Sequence, residues 1–538
     1  MLRWSGRWAD AIAVGALVCV AVIAWMTFDD YGLGWDDYTH SQYGQLLLDY
    51  YRSGFTDKRA LSFVNLYMYG GGFDMTAAML SKILPFGLFE TRRLWGAVIG
   101  ILGLVATWRV ARRVGGPVAG LLAVLLLATC PLYYGHMYMN AKDAPFAAAI
   151  AMLLLGMVRL LEDYPKPRWS TAVVFGLGLG LSIGSRIVGG IAALYIAMPL
   201  AILIFSDYRA HDLRTALRHF GSFLLRLVPA FILAYALMAV IWPWSVQEPL
   251  NPVRAIEYFS HFFEKPWQEM FEGKAIYVPD MPRSYVPVHF LLKLPEIMLV
   301  LCLGGVLGIL LNAIRGEYSA RRGAILFLIA AAALVPILFT VLTRPAMYNG
   351  IRHFVFVTPP LAVLGGLTGS WLFEELTRRS RTALTAAIAA FAVGLADPVY
   401  VMYRLHPYQY THFNRIAGGL EGVEDRFMID YWGLAFKEAS EQLRALLTER
   451  QETPPQGRRR WRIAVCGPHP AAEVELGPEF ITTWDPKGAD FAMMLGEFYC
   501  AEPDAPILVE IDREDIVYAR VYDIRGFDLP SVFKHPDK

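Results

Sequence analysis

Long apolar segments recur along the first 402 residues of this 538-residue chain, and they constrain its fold more than any other feature. A transmembrane helix needs about 20 mostly apolar residues. Eleven segments qualify or come close, at 8–28, 94–110, 117–134, 145–161, 171–183, 187–205, 220–242, 289–311, 324–342, 354–373 and 383–402. The fifth is short and lies close to the sixth, so ten or twelve spans are open alternatives. The pattern predicts a polytopic α-helical membrane protein.

Composition excludes several other classes. Only 18% of the residues are charged, whereas roughly a quarter are charged in soluble proteins. The net charge of +1 gives no electrostatic support for nucleic-acid binding. Five cysteines and the lack of Cys/His zinc spacing exclude a disulfide scaffold and a zinc protein. The chain also has no Gly-x-Ser-x-Gly hydrolase motif.

Basic residues of the short loops predict the orientation in the membrane. Arg3 and Arg7 precede the first apolar segment, which has no small-residue cleavage site and is therefore predicted to be an uncleaved signal anchor. Further Arg and Lys residues fall in alternate loops, at Arg109, Arg112, Arg113, Arg159, Lys166, Arg168, Arg209, Arg214, Arg218, Arg315, Arg321, Arg322, Arg378, Arg379 and Arg381. By the positive-inside rule these loops and the N-terminus are cytoplasmic. With eleven spans, the tail lies on the opposite, outer side.

The same reading divides the chain into two domains. Residues 1–402 form the transmembrane domain, with two long outer loops at 29–93 and 243–288. Apolar stretches 43–51 and 73–84 of the first loop predict helices lying in the membrane interface, and the second loop is interpreted as partly re-entrant. Residues 403–538 are predicted to form a small soluble α/β domain. Its expected elements are a helix at 437–450 and strands at 461–466, 491–495 and 507–511.

Two cysteines of the tail, Cys466 and Cys500, adjoin predicted strands. If the tail lies in an oxidising compartment, they are predicted to form a disulfide. The alternative is a pair of free buried thiols.

Four groups of polar residues are candidates for chemistry. The doublet Asp36-Asp37 follows the first span and indicates either a general base or a cation site; a solvated charged loop is the alternative. Asp143 either caps the following helix or faces the doublet, with Lys142 holding a phosphate. Arg352-His353 lies at the outer end of the tenth span, where snorkelling is the alternative to function. Lys293 and Glu296 raise the same question, with an intrahelical pair as the simpler explanation.

Two short motifs resemble those of a known group of enzymes. An acidic doublet in Trp35-Asp36-Asp37-Tyr38 opens the first outer loop, and Asn140-Ala141-Lys142-Asp143 lies in the second. Their order and topology resemble the GT-C superfamily, with bacterial protein O-mannosyltransferase-like and aminoarabinose transferase-like proteins nearest in pattern. The family usually has Asp-Glu at the doublet, which leaves open which carboxylate acts. The segment Asp430-Tyr431-Trp432-Gly433 is also similar to bacterial members.

The resemblance implies an inverting glycosyltransferase of the bacterial inner membrane, with its tail domain in the periplasm. A polyprenyl-phosphate sugar is the implied donor; a protein, a lipid or an envelope glycan is the acceptor. The implied site consists of Asp36 as base, Asp37 as orienting partner, Asp143 positioning a substrate, and Lys58, Lys142 and Arg352 contacting phosphate, with His40 and His353 as further substrate-binding candidates. No cofactor is implied, although some branches use a divalent cation.

Two other classes of protein stay open at this point. A transporter or flippase of lipid-linked sugars would place polar residues near the middle of the membrane, whereas the spans here are almost free of charges there. A non-catalytic envelope assembly scaffold is the other alternative. The sequence does not identify the sugar (hexosyl or pentosyl), the acceptor or the oligomeric state.

Overall fold

The protein, described here from a computed structural model over residues 2–260 and 267–534, is helical through its first three quarters and carries a sheet in its tail. The α-helices are α1 Leu2–Thr27, α2 Asp37–Arg52, α3 Gly72–Leu80, α4 Leu88–Ala128, α5 Pro131–Met139, α6 Asp143–Asp163, α7 Trp169–Ser185, α8 Val188–Ala193, α9 Ala197–Ala210, α10 Leu213–Ile241, α11 Asn251–Ser260, α12 Tyr285–Lys293, α13 Glu296–Ile314, α14 Ala320–Thr343, α15 Thr358–Arg379, α16 Arg381–Arg404, α17 Phe436–Glu449 and α18 His469–Leu476. The strands are β1 Gln268–Phe271, β2 Lys274–Tyr277, β3 Trp461–Cys466, β4 Phe480–Thr483, β5 Phe491–Leu495, β6 Ile507–Arg513 and β7 Ile516–Asp523.

The predicted spans coincide with helices. Nine helical segments in the described residues are long and apolar enough to cross a membrane, and α7 is a shorter apolar helix. One of the nine, α4, contains the predicted span 94–110 and most of the span 117–134, whose last residues lie beyond the helix end in α5. The backbone of α4 leaves the helical conformation at Gly116, where φ is +86°. Beyond this point Gly120 lies against Trp108 and Arg112, which a straight helix would hold at least 12 Å away. The chain therefore reverses at Gly116, and the prediction of a multi-pass membrane protein is confirmed.

The expectation of one continuous span over 289–311 was wrong. The chain breaks between α12 and α13 at Leu294-Pro295, because proline has no N–H to continue a helix. Asn414 of the tail satisfies the freed carbonyl groups: its side-chain amide donates to Leu291 O and Leu294 O, each at 2.7 Å. The tail thereby anchors the outer end of α13.

The outer segments fold together on one side of the helical domain. In the second loop β1 and β2 form an antiparallel hairpin, and Phe271 of this hairpin pairs with Phe427 of the tail. In the first loop the N–H of Leu33 donates to Glu475 Oε1 of α18 at 3.1 Å. Trp35 N–H donates to the Trp432 carbonyl at 3.2 Å. The common side of both loops and the tail agrees with the predicted topology; which compartment they face stays a prediction.

Reporter fusions test that orientation. Because α16 separates Arg381 from the tail, a reporter fused after Arg381 should score as cytoplasmic and one fused after Lys538 as periplasmic. Equal scores for the two fusions would contradict the eleven-span arrangement.

The tail domain is built on a five-stranded sheet of order β4-β3-β5-β7-β6. Strands β3, β4 and β5 are parallel to one another, whereas β7 is antiparallel to β5 and β6. The predicted helix and three predicted strands are present as α17, β3, β5 and β6; β4, β7 and α18 were not predicted. Cys466 and Cys500 form a disulfide, as expected from the sequence.

Loss of this disulfide should destabilise the tail. The bond closes a loop with a sequence separation of 34 residues, which corresponds to about 3–4 kcal/mol in the chain-entropy model. We expect Cys466→Ser with Cys500→Ser to lower the thermal unfolding temperature of the purified protein, whereas Cys19→Ser, at an exposed free thiol, should not. Two reactive thiols at Cys466 and Cys500 in the denatured, unreduced wild-type protein would contradict the bond.

Candidate functional site

The two carboxylates of the doublet have different surroundings. Asp37 is 3% exposed; Arg93 donates to both of its oxygens, at 3.2 and 3.1 Å, and Gly34 N–H donates to Oδ2 at 2.9 Å. The Asp36 side chain is 39% exposed, and its Oδ2 lies 3.3 Å from Lys142 Nζ and 3.9 Å from Arg352 Nη1. Asp37 is thus fixed by its ion pair, while Asp36 is available to a ligand.

Cations determine the charge state of Asp36. Partial desolvation by the surrounding protein disfavours the ionised form, but the charges of Lys142 and Arg352 outweigh it and hold the pKa of Asp36 well below its ordinary value. The carboxylate is therefore ionised throughout the physiological pH range.

Asp143 lies at the start of α6 but does not cap it. The N-cap residue is Lys142, whose side chain makes no capping hydrogen bond. Just before the helix, Asn140 Oδ1 accepts the N–H groups of Lys142 at 3.0 Å and Asp143 at 2.7 Å. The Asp143 side chain accepts a hydrogen bond from Asn140 Nδ2 at 2.8 Å and forms an ion pair with Arg186. The capping alternative for Asp143 was wrong: this carboxylate pairs with Arg186, whereas Asp36 lies beside Lys142 and Arg352.

Three cations, Lys142, Arg186 and Arg352, lie along an aromatic wall, and we call them the cation group. Lys142 Nζ and the Arg186 guanidinium lie 5.0 and 5.9 Å from the ring of Tyr69. Arg352 contacts Tyr348 at 4.9 Å and Trp432 at 4.5 Å, and is only 6% exposed. Such contacts stabilise a cation while leaving it free to bind an anion. Snorkelling of Arg352 into solvent was therefore the wrong alternative.

The remaining candidates from the sequence are His353, His40 and Lys58. His353 stacks edge-on against Tyr348 at 4.8 Å. His40 lies one turn behind the doublet, with Nδ1 2.6 Å from Asp74 Oδ2. Lys58 precedes the short 3-10 helix Arg59–Ser62 and makes no ion pair with another described residue. Its role as a phosphate contact stays a prediction.

The segment Asp430-Tyr431-Trp432-Gly433 joins the tail to the site. Asp430 accepts the N–H groups of Gly433, Leu434 and Ala435 at 2.9–3.2 Å, which fixes a tight turn. The turn lays the Trp432 ring against Gly34, where a Cβ atom would lie 1.6 Å from the ring. Only glycine fits there, so the tail directly shapes the backbone that presents the doublet.

Sequence reasoning missed the support for Arg352. Glu269 of β1 is 1% exposed; its carboxylate accepts the N–H groups of Asn349 at 2.6 Å and Gly350 at 3.4 Å, and the hydroxyl of Tyr285. Asn349 and Gly350 both adopt positive φ, at 55° and 63°. Glu269 thus holds the strained turn that positions Arg352.

The intrahelical pair of Lys293 with Glu296, the simpler explanation from the sequence, was wrong. Lys293 Nζ lies 3.9 Å from the Phe413 ring, and Glu296 accepts the N–H of Arg415 at 2.7 Å.

Burial of Glu269 should make stability pH-dependent. Desolvation raises its pKa from 4.5 to about 7. An acid with a raised folded-state pKa contributes stability that is present below the unfolded pKa and is lost as pH rises to the folded value. We expect the wild type to lose up to about 3 kcal/mol from this group between pH 4.5 and 7. Relative to wild type, Glu269→Gln should therefore gain thermal stability over this pH interval; a constant difference in unfolding temperature would contradict it.

Comparisons with known proteins show what the chain resembles. Residues 73–242 match the family model described as dolichyl-phosphate-mannose-protein mannosyltransferase. The apo oligosaccharyltransferase of Archaeoglobus fulgidus has 13% sequence identity and a TM-score of 0.52 over 89% of this chain and 65% of its own. The chain has the GT-C fold. It spans just under two thirds of that protein's length.

A second solved structure covers nearly the whole chain. Apo ArnT from Cupriavidus metallidurans has 15% identity and a TM-score of 0.49, over 94% of this chain and 97% of its own. No curated protein matches the sequence. The segment that matches the family model contains Lys142, Asp143 and Arg186 but neither the doublet nor Arg352.

Proposed function

We propose that the protein is an inverting glycosyltransferase that moves a sugar, hexosyl or pentosyl, from a polyprenyl-phosphate donor to an acceptor hydroxyl at the outer face of the bacterial inner membrane. The observation that carries the proposal is the open carboxylate of Asp36 beside Lys142 and Arg352. This reaction requires a base and, next to it, a pair of cations that can bind phosphate.

The reaction follows from these groups. Asp36 accepts the proton of the acceptor hydroxyl as its oxygen attacks the anomeric carbon. The bond between that carbon and the lipid-phosphate oxygen breaks, and the polyprenyl phosphate leaves with the bonding electrons. Lys142 and Arg352 stabilise the negative charge that develops on the leaving group. Attack opposite to the leaving phosphate inverts the anomeric configuration.

Binding of the donor also increases the basicity of Asp36. In the absence of substrate, the two cations lower the pKa of this carboxylate, which weakens it as a base. A donor phosphate draws Lys142 and Arg352 to its own oxygens and brings a negative charge near Asp36, and both changes raise the pKa of Asp36. The base thus becomes effective only when the leaving group is in place.

The neighbouring residues have supporting roles in this proposal. Asp37 holds the backbone of the doublet through Arg93. Asp143 orients Arg186 at the far end of the cation group, from which this arginine reaches either phosphate or the donor sugar. His353 and His40 lie just behind these residues and bind no reacting atom in this mechanism.

Substrate class is supported by the family model, whose description names a dolichyl-phosphate-mannose donor and a protein acceptor. That donor and that acceptor are properties of the family. For this chain we propose only the class of donor, a sugar linked to polyprenyl phosphate. Protein, lipid and envelope glycan are all suitable acceptors, since the mechanism requires only a hydroxyl group.

The profile of lipid-linked sugars in cells with and without the gene tests the proposal. One polyprenyl-phosphate sugar should accumulate without the gene and return to its normal amount when the wild-type gene is restored. Restoring Asp36→Asn should leave the accumulation unchanged. An identical profile in all strains would contradict the proposed activity.

A further inference from the structure

A cavity lies at the tail domain, and Met270 of β1 also contributes to its lining. It has a volume of about 390 Å³ and lies between the sheet and the chain segment that precedes Asp430. Cavities of roughly 300–1,000 Å³ are the usual size for small-molecule sites. Asp36, Asp143 and the cation group do not line it, so it is a separate site from the one proposed for sugar transfer.

The charged residues that line the cavity leave an excess of negative charge. Both lining cations are already paired, Arg520 with Glu510 at 2.6 Å and Lys534 with Glu502 at 2.7 Å. Three further acidic residues, Glu424, Asp425 and Glu497, also line the cavity. Within residues 2–260 and 267–534, no cation forms an ion pair with any of these three.

Glu497 is the buried member of this acidic set. It is 6% exposed, and its Oε1 accepts the N–H of Ile429 at 3.1 Å. Burial and the nearby Asp430 raise the pKa of Glu497 well above its ordinary value. A buried carboxyl with no cation beside it is unfavourable in its ionised form, and a positively charged ligand would supply the missing partner.

The rest of the lining suits the body of such a ligand. Phe427, Met494 and Leu495 are apolar members of an otherwise mostly polar lining, and Glu424 and Asp425 are exposed at its rim. A polar lining with acids both inside and at the rim and a few apolar side chains between them suits a compact cation with a carbon body. A primary ammonium group also has three donors for these carboxylates.

We propose that the tail cavity binds a small ligand through a protonated primary amine, with Glu497 as the inner partner and Glu424 and Asp425 as the rim partners. An amino sugar and a lysine side chain both present this group. The amine is carried by a sugar ring in the first case and by an alkyl chain in the second, and the test distinguishes the two.

Binding to the full-length protein in nanodiscs, measured by saturation-transfer NMR, tests the proposal with two matched pairs of probes. Glucosamine is compared with N-acetylglucosamine, and Nα-acetyl-lysine amide with its Nε-acetylated form. In at least one pair, the free amine should bind tenfold or more tightly than the acetylated compound, and that pair identifies the source. The proposal is overturned if neither amine binds, or if acetylation makes no difference in either pair.

Variants locate the binding site. Glu497→Gln should weaken binding of the amine at least tenfold, and Glu424→Gln with Asp425→Asn should weaken it without affecting folding, because both rim residues are exposed. Glu473→Gln is the matched control: it is an exposed acid of the same domain, on α18, does not line the cavity, and should leave binding unchanged. Unchanged affinity in the rim variant and in Glu497→Gln would overturn the assignment. Because the readout is binding alone, this result is independent of whether the protein transfers sugar.

Discussion

Replacing Asp36 with asparagine should abolish sugar transfer while leaving the protein folded. The substitution is nearly isosteric and removes only the proton acceptor, for which a loss of roughly 10²-fold or more is expected. Folding should tolerate it, because the Asp36 side chain is 39% exposed and makes no capping hydrogen bond to α2. Transfer by the purified variant and its thermal unfolding temperature are the two measurements.

The neighbouring residues provide the controls for this variant. Asp29→Asn changes an exposed carboxylate of the same outer loop and should leave activity unchanged. Asp37→Asn should instead lower stability, because it leaves Arg93 without its buried partner, at a cost of about 3–5 kcal/mol. Activity retained in both Asp36→Asn and Asp37→Asn would exclude the doublet as the site.

Replacing Arg352 with glutamine should cause the second large loss. The guanidinium is held by Tyr348 and Trp432 within reach of Asp36, where it would stabilise the departing lipid phosphate. Removal of one such group typically lowers kcat by 10²–10³-fold. We expect the loss chiefly in kcat, measured with saturating polyprenyl-phosphate sugar.

Arg344→Gln is the matched control for this variant. Arg344 precedes the same turn, but its guanidinium donates to the carbonyl groups of Met281 and Asp280, on the outside of the protein. Its loss should change activity less than fivefold. An Arg352→Gln enzyme with more than half of wild-type kcat would contradict the assigned role.

Most of the spans and three of the five tail strands could be predicted because their signals are local. A run of about 20 apolar residues or a short β-branched stretch is visible without knowledge of its partners. The reversal at Gly116 was visible as a boundary between two spans. The break at Pro295 was missed because proline alone does not decide it: Pro229, Pro336 and Pro398 lie inside helices that continue. Asn414, which satisfies the carbonyl groups freed at Pro295, lies more than 100 residues away.

The site was only partly predictable for the same reason. The sequence places Asp36 and Asp37 side by side but gives no means of telling which one Arg93 fixes. Arg186 was visible only as one of the few basic residues in an outer loop. Glu269 carried no signal at all, since its function depends on a turn about 80 residues later.

An assay that distinguishes sugar transfer from transport of the lipid-linked sugar across the bilayer tests the central claim most directly. Radiolabelled polyprenyl-phosphate sugar, extracted from cells that lack the gene, is incorporated into vesicles with the purified protein and a cell-envelope acceptor fraction. We predict that the label moves from the lipid to the acceptor, that polyprenyl phosphate is released, and that Asp36→Asn does neither. Label that crosses the bilayer while still attached to its lipid, equally in wild type and Asp36→Asn, would contradict the account and identify a flippase.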